Sequence, residues 1–142
     1  MNCPLSLRIK ILKAFLFITA ISLLFWWPLS HWLYPDWYHH LMGFKPGSYQ
    51  ESMVKMIGTC GFFPVFLAFF ASKDPLRYRA SIITLMLTSV LIGLTFLYLI
   101  LTNSFPEREA FNIVLSFFVA GFLCLMYPWR ESRKSGLSDT ID

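Results

Sequence analysis

Four apolar runs of about twenty residues, each long enough to cross roughly 30 Å of hydrocarbon as a helix, constrain this chain more than any other feature. They fall at about 10–33, 49–72, 75–102 and 105–128, and the polar segments between them are short. A soluble domain of 142 residues needs a polar exterior, and with 56% hydrophobic and 14% charged residues this chain cannot supply one. The expected fold is all-α and integral to a membrane. Four transmembrane helices form an antiparallel up-down-up-down bundle, one domain over 1–134, followed by a short cytoplasmic tail over 135–142.

The net charge of +4 does not point to nucleic acid, because the cations cluster at the ends of the apolar runs. Arg8, Lys10 and Lys13 precede the first run, Lys73, Arg77 and Arg79 separate the second from the third, and Arg130, Arg133 and Lys134 follow the fourth. Lys45, Lys55 and Arg108 lie at the other ends. The positive-inside bias then places both termini in the cytoplasm, and the lipid bilayer is the first partner. The N-terminus has the look of a secretory signal, but Trp26-Trp27-Pro28 offers no small-residue cleavage site and more spans follow, so an uncleaved anchor is expected.

Trp26, Trp27, Trp32, Tyr34, Trp37 and Tyr38 read as an aromatic belt at the outer interface. Pro35-Asp36 opens a short interfacial helix through Met42, which Gly43 ends. Ser48 with Glu51 reads as a capping box for the second span, and Lys55 stands four residues after Glu51 for an ion pair. Pro64 predicts a kink within that span, where Gly58, Gly61, Val65 and Ala68 make a small-residue face. Asp74-Pro75 is a helix-start signal for the third span, and Ser104 with Glu107 reads as a capping box for the fourth. In the third, Ser81, Thr88 and Thr95 recur every seven residues with Thr84 beside them, a hydroxyl stripe for packing or for lining a polar groove. Asn112, Ser116, Ala120 and Cys124 form a row on the fourth.

Ligand-type residues cluster only at His31, His39 and His40, with Asp36 between them. They are the place for a speculative metal or haem site; the alternative is headgroup contact. A buried mid-span carboxylate, as a proton-coupled exporter needs, is not visible, nor are paired cysteines or a hydrolase nucleophile with its base. No cofactor is expected, and Cys3, Cys60 and Cys124 are too dispersed for a disulfide framework.

The stretch Leu33-Tyr34-Pro35-Asp36-Trp37-Tyr38-His39-His40-Leu41-Met42-Gly43-Phe44, followed by Lys73-Asp74-Pro75-Leu76-Arg77-Tyr78-Arg79, resembles the BphX-like, DoxX-related group of small four-helix bacterial membrane proteins. The resemblance implies a bacterial inner-membrane protein of unassigned role, and carries no catalytic residues with it. Three functions are left open. The expected one is a non-enzymatic accessory subunit that binds another membrane protein or a second copy of itself. The alternatives are a redox component holding haem, metal or quinone, and a carrier of a small molecule or lipid in a groove on the third helix.

Overall fold

The computed structural model describes residues 4–45, 47 and 50–129, whose regular structure is helical, without a strand among them. Helix α1 spans Leu5–Leu33, α2 Pro35–Met42, α3 Glu51–Lys73, α4 Arg79–Leu101 and α5 Ala110–Met126, the last entered through a 3-10 turn at Glu107–Glu109. Four of the helical segments, all but α2, are long and apolar enough to cross a membrane. Large side chains such as Ile18, Leu91, Leu101, Val114 and Leu125 cover the outside of the bundle, the reverse of a water-facing surface.

The four long helices pack as a closed set, α1 on α3, α3 on α4, α4 on α5, and α5 back on α1. Neighbours run in opposite directions: Arg8 near the start of α1 reaches the end of α5, while Trp26 near its other end bonds Asn112 near the start of α5. We call the end holding Leu5 and Met126 the base, and the end holding α2 the head. The base half is solid. Leu12, Leu16 and Ala20 interlock there with Ala68, Ala71, Ile82, Leu85, Val119, Leu123 and Tyr127.

Helix α1 begins about one turn earlier than the sequence suggests. Pro4 takes the position before the first turn and its carbonyl accepts from Leu7 and Arg8. The early start lets the Arg8 guanidinium donate to the carbonyls of Leu125, Met126 and Tyr127 at 3.1, 3.2 and 3.5 Å, the groups that α5 leaves without helical partners. Arg8→Met should therefore lower stability by about 1–2 kcal/mol. Thermal melting in detergent checks this, and an unchanged midpoint would show that the contact contributes nothing.

The distortion expected at Pro64 has a counterpart elsewhere. Pro64 is buried within the unbroken α3, whereas α1 passes through a π-helical segment at Phe25–Leu29 containing Pro28. Lacking an amide, Pro28 cannot continue the α-helical ladder, and the loosened carbonyls take side-chain donors instead. Ser30 Oγ bonds the Trp26 carbonyl at 2.6 Å, and His31 Nδ1 donates to the Trp27 carbonyl at 2.8 Å. Helix α3 presses closely on this segment. A Cβ on Gly58 would stand 2.9 Å from His31 Cβ, and one on Gly61 2.9 Å from Trp27 Cγ, so both positions need glycine for the approach itself.

Three capping expectations resolve differently. Asp74 Oδ1 accepts from the amides of Leu76 and Arg77 at 3.2 and 3.3 Å, but the residues after it form a turn. Helix α4 proper opens at Arg79, not 75, because Tyr78 lies outside helical backbone angles. The Ser104–Glu107 capping box does not form. The Ser104 amide closes the end of α4 on the Leu99 carbonyl at 2.8 Å, with Asn103 in the left-handed conformation. The Ser104 hydroxyl pairs with Thr102 at 3.1 Å, and extended Pro106 separates it from Glu107. Ser48 lies outside the described residues, as do Cys3, Arg130, Arg133, Lys134 and the tail; Glu51 pairs with Lys55 at 2.6 Å.

Candidate functional site

The head half of the bundle is not filled as the base is. Four polar side chains from α1, α2, the 3-10 turn and α5 meet there. The Trp26 indole N–H donates to Asn112 Oδ1 at 2.8 Å. Asn112 Nδ2 donates to the Tyr38 hydroxyl oxygen at 3.2 Å and to Glu109 Oε2, and the Tyr38 hydroxyl donates to Glu109 Oε1 at 3.4 Å. Both carboxylate oxygens are thus accepting, and both amide hydrogens of Asn112 are committed. Glu109 is only 1% exposed, so a carboxyl group is held inside the bundle by neutral donors.

Local sequence places each member. Asn112 follows Glu109 by three residues, which puts both on one side of the α5 entry. Helix α2, set by Pro35 and ended by left-handed Gly43, lays Tyr38 against the top of α1. The Tyr38 ring lies 4.4 Å from the His31 ring and 5.8 Å from the Trp26 ring, centre to centre. Burial, and then the nearby Glu109 carboxylate, push the Tyr38 phenol above its usual range, so it acts as a protonated donor.

Below this cluster lies a cavity of about 600 Å³ between the helices, large enough for a drug-sized molecule. Its walls are mainly apolar, with Leu85, Ile92, Phe96, Leu115 and Val119 among them, and the polar cluster occupies its head end. Ser89 and Thr95 also line it. Their hydroxyls donate to the carbonyls of Leu85 and Leu91 at 2.8 and 2.9 Å, which leaves their oxygen lone pairs to accept.

The histidines do not converge. His31 and His39 line the cavity with ring centres 6.2 Å apart, while His40 is exposed beside Gly43 and Arg108 on another surface. His39 Nδ1 pairs with the Pro35 carbonyl at 2.7 Å, and Asp36 is exposed on the first turn of α2. Among the described residues no three of His, Cys, Asp and Glu gather as a metal site would require. The hydroxyl stripe divides. Thr88 and Thr95 line the cavity with Ser89, whereas Ser81 and Thr84 lie outside its lining, toward the base.

Glu109 is the residue that sequence reasoning missed. It stands at the end of a span, not in the middle, and its partners Tyr38 and Trp26 belong to other helices. The available signal was the three-residue spacing to Asn112, a polar pair entering an otherwise apolar run. The chain matches no family model, no curated protein and no solved structure.

Proposed function

We propose that this is an integral membrane protein that binds an amphipathic small molecule or lipid inside its helix bundle, as a carrier or binding subunit. The observation that carries the reading is the cavity itself, mainly apolar and lined toward its head by a hydrogen-bonded polar cluster. A purely structural bundle has no use for such a void, because unfilled interior forfeits packing that the base half achieves. The carrier alternative is therefore favoured over the accessory one, although the exposed faces of the helices leave room for a second copy or another membrane protein. The groove it needs is shared by all four long helices and does not belong to α4 alone.

The charge distribution and the resemblance of the loops to BphX-like, DoxX-related proteins add a setting to this proposal. It is the bacterial inner membrane, with both termini cytoplasmic and the head of the bundle outside.

Ser89→Phe tests the reading. Ser89 is buried on the cavity wall and makes none of the polar cluster's hydrogen bonds, so a phenyl ring there takes up cavity space while every bonding group of the cluster is kept. In native mass spectrometry from mild detergent, the wild type should carry a stoichiometric apolar molecule that Ser89→Phe has lost, with the variant melting close to wild type. An identical bound population in both proteins contradicts it.

A further inference from the structure

Resting on that reading, we propose that the head of the cavity selects an organic cation, a molecule with an ammonium group and an apolar body. Three observations converge on this chemistry.

The first is charge. Glu109 is the one residue among the described cavity lining that belongs to Asp, Glu, Lys or Arg, and among the described residues it makes no ion pair. The nearest basic residue in sequence, Arg108, is directed elsewhere, its Nη1 donating to the Leu41 carbonyl at 3.3 Å, and Lys55 is paired with Glu51. Burial disfavours a lone charge on this carboxyl group, and its neutral amide and hydroxyl donors do not cancel one, so an incoming ammonium group stabilises its carboxylate form whereas an anionic head opposes it.

The second is the direction of the hydrogen bonds. The indole N–H of Trp26, both amide hydrogens of Asn112 and the hydroxyl of Tyr38 are spent inside the cluster. An incoming carboxylate, phosphate or sulfate would find no donor free there. The His31 ring, with its Nδ1–H on the Trp27 carbonyl, keeps Nε2 as an acceptor. Ser89 and Thr95 also accept, as their own hydrogens bond the backbone. The donors left in the lining, such as the Trp27 indole, are neutral.

The third is the surrounding surface. Trp26, Tyr38, Phe44 and Phe105 all line this part of the cavity, and aromatic faces stabilise an ammonium group while burying an apolar body equally well. Size is consistent too, since the void extends from this head past Ile92 to Leu85 in the middle of the bundle.

The test uses three fluorescent probes that share one body: dansylcadaverine with its ammonium group, its N-acetyl derivative, and the matching dansyl aminohexanoate with a carboxylate. Binding to the full-length protein in mild detergent is read from the rise in dansyl emission. The ammonium probe should bind saturably and at least about tenfold more tightly than the other two. Glu109→Gln should remove that preference, and adding Asn112→Asp to Glu109→Gln should restore it by returning a carboxylate one turn along α5. Ser89→Phe should abolish saturable binding of all three probes. Equal binding of the three probes, lost in Ser89→Phe, overturns the cation assignment and leaves the cavity reading intact. An ammonium preference that survives Glu109→Gln overturns Glu109 as its source. Emission that is the same in wild type and Ser89→Phe overturns both.

Discussion

Asn112→Leu is expected to destabilise the protein by about 3–5 kcal/mol, more than a typical single substitution. Leucine removes the acceptor for the Trp26 indole and the donor to both Glu109 and Tyr38. What remains is a buried carboxyl group with, among the described residues, the Tyr38 hydroxyl as its one hydrogen-bond donor at 3.4 Å. The cost comes chiefly from leaving that group unsatisfied, not from losing the net strength of the bonds, and this distinction can be measured. In a double variant with Glu109→Leu, the uncompensated carboxyl is gone as well. The double variant should therefore be more stable than Asn112→Leu alone, despite carrying one more substitution. Unfolding by sodium dodecyl sulfate in mixed micelles, followed by circular dichroism, gives both values. If the two losses simply add, the polar cluster is not a coupled unit.

Gly61→Val should cost about 1–3 kcal/mol through steric crowding. The added Cβ would approach Trp27 Cγ to 2.9 Å, Trp27 Cδ1 to 3.0 Å and Pro28 Cδ to 3.1 Å, and valine brings two further methyl groups. Trp27 and Pro28 belong to the π-helical segment, so α1 and α3 must separate to admit them. Separation also displaces His31 and the cavity wall, so bound small molecules should be lost together with stability. Gly121→Val is the control. Apart from its chain neighbours and the backbone of its own helix, nothing lies within 4 Å of a Cβ at Gly121, so that variant should match wild type within about 0.5 kcal/mol in the same unfolding assay. Equal effects at the two glycines would mean that helix propensity, and not close approach, governs both.

The four long helices are legible in the sequence because each apolar run declares itself within its own residues, as does the stop at Gly43. The small face of Gly58, Gly61, Val65 and Ala68 is also legible, and all four are buried. Events at helix ends are less so, since they depend on which neighbour claims an amide. Ser104 and Glu107 have the spacing of a capping box, yet the Ser104 amide is taken by Leu99 from the helix before it. Pro28 reads as part of a bulky segment after a signal-like run; only with Ser30 and His31 in place does it become a satisfied π-helical turn. Glu109 is hidden most deeply. Its burial requires Tyr38, 71 residues away, and its partner Asn112 is oriented by Trp26, 86 residues away. No local pattern announces a contact assembled from three distant segments.

The cavity as a ligand site is the central claim, and photo-crosslinking from its wall tests it most directly. A diazirine-bearing leucine analogue is placed at position 92, where Ile92 lines the cavity, and in a second protein at position 91, where Leu91 faces outward. Both proteins are irradiated in native membranes and the adducts are weighed by mass spectrometry. The cavity reading predicts one dominant small-molecule adduct at position 92 and a spread of phospholipid adducts at position 91. The same spread of phospholipids at both positions would contradict it.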